Sequence, residues 1–162
     1  KPLFHRNGAL NFSSEDKRRI RERLTGRFVN FMQRRAIALR LNAALENGEQ
    51  IGPDQDASIE HVLPRTLSEE SHWNRIWPSQ AVQRELAETV GNFVIVPRHV
   101  NRLADRLEFR EKKKLYFAEG VRVFALTEDL RERETWTPDD VRARTEQLVD
   151  ILMNVWFPEP AG

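Results

Sequence analysis

Strand-forming sequence is scarce in this chain, and this scarcity restricts the fold more than any other feature. Phe93–Val96 is a run of four apolar residues between the turn pair Gly91-Asn92 and Pro97, a pattern that predicts a strand. A second short strand is predicted for residues 58–63, which Pro64 ends. The remaining patterned segments have helical spacing, so the predicted fold class is α+β and mostly helical.

The helices have recognisable starts. Ser13 or Ser14 can cap a first helix, with acidic residues in its first turn, and Thr137-Pro138 is typical of the start of a last helix. Between them, a long helix ending near Asn47-Gly48 is predicted from apolar residues three or four positions apart. These residues, which we expect to be its buried face, are Phe28, Phe31, Met32, Ala36, Leu39 and Ala43.

The chain has 162 residues and no cysteine. Disulfides and thiolate zinc sites are therefore excluded, and a bound metal would need oxygen or nitrogen ligands. No apolar run is long enough to predict a membrane-spanning helix. The first residue is Lys and no signal peptide pattern follows it, so we expect a fragment of a longer protein.

Charge is distributed unevenly although the formal net charge is only +1. Residues 17–40 contain nine basic residues and one acidic residue, and residues 98–114 contain seven basic and three acidic residues. Residues 41–60 contain five acidic residues and no basic residue. Such blocks favour either an oriented surface for a polyanion or ordinary solvated helix faces.

Three short segments contain the residues that indicate chemistry. They are Ile59–Pro64 with its Glu60-His61 pair, the Gly91-Asn92 turn before the second strand, and Asn101 at the start of a helix. Phosphodiester hydrolysis needs a base to activate water, a divalent cation and a group that holds the base in one tautomer. Histidine suits the base, and carboxylate and amide oxygens suit magnesium.

The order of these segments resembles the HNH (His-Me finger) endonucleases. More closely, it is similar to the C-terminal nuclease domain of GmrSD-type modification-dependent restriction enzymes and of related nucleases that sense phosphorothioated DNA. The similarity covers about residues 27–116 and, more loosely, the terminal helix with Trp156. Its segments are I-E-H-x-x-P at 59–64, G-N-F-V-I at 91–95, Asn101, and the F-x-x-K-K-x-x-Y pattern at 109–116.

The resemblance implies a role for each motif residue. His61 would be the general base, and Asn92 would hold it through hydrogen bonds. Glu60, directly or through water, and Asn101 would be ligands of Mg²⁺ or Mn²⁺. The four-cysteine zinc staple of many HNH domains cannot exist here, because the chain has no cysteine. Asp105, one helical turn after Asn101, is an alternative ligand or an ion-pair partner of a neighbouring arginine.

Several basic residues are candidates for contacts with DNA phosphates. The arginines are alternatively residues of solvated helix faces, and Arg102 is also the candidate ion-pair partner of Asp105. The candidates are Arg34, Arg35, Arg102, Lys112 and Lys113.

The resemblance also implies an organisation and a cellular role. Residues 1–162 would be one HNH-type nuclease domain, a C-terminal fragment of a longer protein, with N-terminal helices at 13–48, a ββα-metal core at 57–118 and a C-terminal helix at 137–157. The expected partners are DNA and an N-terminal nucleotide-hydrolysing sensor domain, and the expected setting is cytoplasmic defence against foreign or modified DNA. The alternatives are an inactive nucleic-acid-binding module and a helical interaction module.

Overall fold

The computed structural model describes residues 12–46, 48, 51–52 and 56–158; the predicted helix end at Asn47 lies outside them. Within these residues, eight α-helices surround one pair of strands. The helices are α1 (Ser14–Thr25), α2 (Phe31–Leu45), α3 (Trp73–Ile76), α4 (Gln80–Leu86), α5 (Arg98–Ala104), α6 (Phe109–Tyr116), α7 (Ala125–Glu128) and α8 (Pro138–Trp156), and the strands are β1 (Ser58–His61) and β2 (Phe93–Val96).

The two predicted strands pair with each other. β1 and β2 are antiparallel, and their register places Glu60 opposite Val94 and His61 opposite Phe93. All four residues of β2 are buried, as expected for an apolar run covered on both faces. The predicted fold class, α+β and mostly helical, is therefore confirmed. None of the helices that the structure describes is long and apolar enough to cross a membrane.

The predicted start signals of the first and last helices are confirmed. Ser13 caps α1 and Thr137 caps α8, and in both cases an aspartate three residues later completes a reciprocal capping box. Each box satisfies backbone N–H groups that a helix end leaves without partners, so the sequence fixes these two starts locally.

The predicted buried face of α2 is partly wrong. Phe28, which precedes the helix, is buried, and Leu39 and Ala43 are half-buried. Phe31, Met32 and Ala36 are exposed, while Ile37, Ala38 and Leu41 are buried against the rest of the molecule. Apolar residues occur on both sides of this helix, so their spacing fits two faces equally well. Packing against α7 and α8 decides which face is covered.

The long helix α8 packs directly on a 3₁₀ turn at Val90–Asn92, immediately before β2. A Cβ atom added at Gly91 would lie 2.2 Å from Thr145 Oγ1 and 2.3 Å from the Val141 carbonyl oxygen of α8. Only glycine therefore permits this approach. The buried Arg144 of α8 also donates to the carbonyls of Gly91 and Phe93, both at 2.8 Å. These contacts fix the end of the turn and the start of β2.

Candidate active site

A groove of about 190 Å³ lies between the end of β1 and the side of α5. It brings together three residues that the sequence predicts for the site: Glu60, His61 and Asn101. We call it the β1–α5 groove. Its lining residues are Glu60, His61, Pro64, Arg65, Thr66, Asn101, Asp105 and Arg106.

His61 is the last residue of β1, and its side chain is only 12% exposed. Its Nε2 atom lies 3.2 Å from Glu88 Oε2, and its ring packs edge-on against Phe93, with centroids 5.2 Å apart. Burial lowers the pKa of His61, while the hydrogen bond to Glu88 acts in the opposite direction. A neutral imidazole, able to accept a proton, is therefore favoured at neutral pH.

Glu88 is a functional candidate that the sequence analysis missed. It lies between α4 and β2, is buried, and accepts hydrogen bonds from Arg34 Nη1 at 2.9 Å and Arg65 Nε at 2.6 Å. Burial raises its pKa, but the hydrogen bond and charge of His61 and the charges of Arg65 and Arg34 outweigh burial and lower the pKa to about 2. Glu88 is thus an anion. Its only signal in the sequence is one acid in an apolar segment just before Gly91-Asn92.

The carboxylate of Glu60 is buried against the lysine that forms an ion pair with it. Both Lys112 Nζ and the Tyr116 hydroxyl donate to Glu60 Oε1, and Lys112 Nζ also donates to the His61 carbonyl oxygen at 2.8 Å. Burial raises the pKa of Glu60, and the Lys112 ammonium opposes this shift. Lys112 and Tyr116 come from the Phe-x-x-Lys-Lys-x-x-Tyr pattern, so α6 supports the carboxylate of β1.

Asn101 fixes α5 to β1. Its Nδ2 atom donates to Ser58 Oγ at 2.7 Å and to the Ile59 carbonyl oxygen at 2.9 Å. None of the described residues donates a hydrogen bond to the Oδ1 atom of Asn101. The amide is thereby oriented, and its oxygen remains available to the β1–α5 groove that Asn101 lines.

Asn92 is fully buried and does not line the groove. Its Oδ1 atom accepts from the Leu63 N–H at 2.7 Å and from Trp136 Nε1 at 3.0 Å, and its Nδ2 donates to the carbonyls of Leu63 and Ala87. Asn92 therefore holds the backbone that follows His61. This arrangement is compatible with the positioning role that the resemblance implies, and none of these hydrogen bonds involves the His61 side chain.

The basic residues predicted to contact DNA lie in different environments. Arg34 is buried against Glu88, and Lys112 is buried against Glu60. The guanidinium of Arg34 and the ammonium of Lys112 therefore do not point into solvent. Lys113 Nζ donates to the carbonyls of Arg131 and Arg133, and Arg35 is partly buried beside the Ala57 carbonyl. Arg102 is exposed, and no ion pair joins it to Asp105 in the part of the chain described. Their role in DNA binding stays a prediction.

The residues that line the groove include oxygen donors of the kind that a hard divalent cation prefers. Among the described residues, no three His, Asp or Glu side chains lie close enough to hold a metal ion by themselves. The groove does combine two carboxylates, Glu60 and Asp105, with the amide of Asn101. Magnesium usually keeps several water ligands and needs only one or two carboxylates, so this donor set fits Mg²⁺ or Mn²⁺.

A protein-family model matches most of the chain. A family model described as "GmrSD restriction endonucleases, C-terminal domain" matches residues 11–151, which include the β1–α5 groove and both strands. No curated protein and no solved structure matches the chain significantly.

Proposed function

The chain belongs to the family of GmrSD restriction endonuclease C-terminal domains, and on this basis we propose that it is a metal-dependent DNA endonuclease of the HNH type. Membership supports nuclease activity in general. The finer proposal, with its reaction centre in the β1–α5 groove, depends on the arrangement of side chains there.

One observation supports the proposal most strongly. Glu60, His61 and Asn101 come from two separate elements, β1 and α5, and line the same groove. The 39 residues between His61 and Asn101 fold so that α5 lies against β1, and Asn101 donates hydrogen bonds to the strand that contains His61. We take β1, β2 and α5 as the ββα-metal core of this domain.

In the proposed reaction, His61 takes one proton from a water molecule as its oxygen forms a bond to phosphorus. The bond from phosphorus to the leaving sugar oxygen breaks with its electron pair, and that oxygen takes up a proton from solvent. Glu60 and Asn101, with Asp105 as a third oxygen donor, would hold the divalent cation. When bound, this cation supplies charge stabilisation for the phosphate and the leaving oxygen.

Substrate would be held through its phosphates by the basic residues around the groove. Arg65 and Arg106 line it, and Arg102 lies exposed on the same helix as Asn101. Phosphate contacts position a duplex without reading its sequence, so this surface suits a nuclease whose specificity lies elsewhere in a longer protein. We propose an N-terminal nucleotide-hydrolysing sensor domain as the source of that specificity, in cytoplasmic restriction of foreign or modified DNA.

Plasmid cleavage tests the proposal. Supercoiled plasmid should become open circular or linear in the presence of Mg²⁺ or Mn²⁺ and remain intact with chelator. His61→Ala should lower the rate by at least roughly 10²-fold, since this is the usual contribution of a general base. His72→Ala, an exposed histidine outside the groove, is the matched control.

Undiminished cleavage by a folded His61→Ala protein would remove His61 from the mechanism. Salt-dependent DNA binding without any metal-dependent cleavage would instead favour an inactive nucleic-acid-binding module. If the wild-type protein neither binds nor cleaves DNA, the helical interaction module becomes the better description.

A further inference from the structure

We propose that Glu88 is the positioning residue of His61: its carboxylate accepts the Nε2 proton of the imidazole and so leaves Nδ1 as the atom that takes the proton from water. This inference rests on the proposed function. It adds a residue that neither the motifs nor the family resemblance assigns.

The geometry determines the direction of the hydrogen bond between His61 and Glu88. Glu88 Oε2 already accepts from Arg34 Nη1 at 2.9 Å, and Oε1 accepts from Arg65 Nε at 2.6 Å. A carboxyl group flanked by two guanidinium groups is an ionised acceptor, and its low pKa agrees with this state. An ionised carboxylate has no proton to donate, so in the 3.2 Å contact the proton must lie on His61 Nε2.

A neutral imidazole has one N–H and one lone pair. With the proton on Nε2, the lone pair is on Nδ1. None of the described residues forms a hydrogen bond with Nδ1 of His61. The residue itself lines the β1–α5 groove. Nδ1 is therefore the ring atom available to a water molecule in the groove.

The segment around Arg34 holds Glu88 in place independently of substrate. Arg34 is buried and also donates to the Phe28 carbonyl oxygen at 3.2 Å, while the Phe28 N–H donates to the Glu88 carbonyl oxygen at 2.7 Å. Arg65, in contrast, is 53% exposed and lines the groove. A phosphate could attract Arg65 away from Glu88, and Arg34 would still neutralise the carboxylate.

The sharpest test is the double variant Arg34→Met/Glu88→Gln. In Glu88→Gln alone, the glutamine oxygen can stay beside Arg34 and His61, because both donate to the same carboxylate oxygen, Oε2, and the NH₂ group then faces the exposed Arg65. Without Arg34, the glutamine oxygen faces Arg65, and the NH₂ group donates to Nε2 of His61 and forces the proton to Nδ1. Cleavage of saturating DNA in a single turnover should fall by at least about 10²-fold, since a wrong tautomer of this origin lowers kcat about 10⁴-fold in a serine protease triad.

The decisive measurement is the tautomer itself, from long-range ¹H–¹⁵N correlation spectra of the metal-free full chain at pH 8. Wild type and Arg34→Met should show the Nε2–H tautomer of His61, and Arg34→Met/Glu88→Gln should show the Nδ1–H tautomer. Glu88→Asp, which keeps the carboxylate, should retain Nε2–H. Glu85→Gln, an exposed glutamate of α4, is the matched control and should leave both tautomer and rate unchanged.

An Nδ1–H tautomer in the wild-type spectrum would overturn the inference, even if Arg34→Met/Glu88→Gln did not fold. An unchanged tautomer in the double variant, or cleavage at the wild-type rate, would overturn it as well. A purely structural role for Glu88 would lower the melting temperature without moving the tautomer. If wild type does not cleave DNA, the proposed function fails, while the tautomer still decides the role of Glu88.

Discussion

Lys112 donates a hydrogen bond to the carboxylate of Glu60, and the side chains of the two residues are 0% and 6% exposed. A residue expected to contact phosphate is thus the counterion of the proposed metal ligand. Because Lys112 neutralises part of the Glu60 charge, a cation in the groove would meet a less negative site than the acidic residues alone indicate.

The buried pair gives the first prediction. Lys112→Met should lower the free energy of unfolding by about 3–5 kcal/mol, because it leaves the Glu60 charge buried without a partner. Urea denaturation measures this change, and the double variant Glu60→Gln/Lys112→Met should recover part of it. Lys114→Met, on the exposed face of α6, is the control and should stay within about 0.5 kcal/mol of wild type. Normal stability with weakened DNA binding would instead make Lys112 a phosphate contact.

The second prediction concerns metal binding through Asn101. Asn101→Ala removes the amide oxygen from the β1–α5 groove and the two hydrogen bonds to β1. The Mn²⁺ concentration for half-maximal plasmid cleavage should rise by roughly tenfold or more, the size of effect seen even for groups that only support a ligand. Asn154→Ala, at an exposed position of α8, should leave the metal titration unchanged. An unaltered titration for Asn101→Ala would exclude Asn101 as a ligand.

The third prediction tests the close approach at Gly91. Gly91→Ala places a Cβ atom against Thr145 and Val141 of α8, where neighbouring backbone would have to shift. We expect destabilisation of about 1–3 kcal/mol or more, the usual cost of overpacking. Gly52→Ala is the control, because a Cβ there meets nothing within 4 Å. Equal melting temperatures for the two variants would show that α8 does not pack closely on the turn.

The fourth prediction concerns DNA affinity. Arg102→Ala and Arg106→Ala should each weaken binding to unrelated sequences alike and lower the log–log salt slope by about one, as expected when one phosphate contact is lost. Cleavage at saturating DNA should survive better than in His61→Ala. Arg142→Ala, exposed on α8 and paired with Asp139, is the control. A salt dependence like that of wild type would place the duplex away from α5.

The sequence by itself determined the features that depend on neighbouring residues. Capping residues fixed the starts of α1 and α8, and the apolar run before Pro97 fixed β2, because such signals act within a few residues. The motif order also indicated Glu60, His61 and Asn101, and the fold places them in one groove. The organisation into one domain of a longer protein stays a prediction.

Only the tertiary structure decided which groups meet over long distances. Arg34 lies in a basic run that suggests a solvated or DNA-binding face, yet it is buried on Glu88, 54 residues further along the chain. The buried face of α2 was predicted partly wrongly for the same reason, since Phe31 and Ile37 both fit helical spacing although only Ile37 is buried. Periodicity and charge describe one segment, whereas burial and pairing depend on the segment packed against it, so Glu88 and its contact with His61 emerged only from the folded chain.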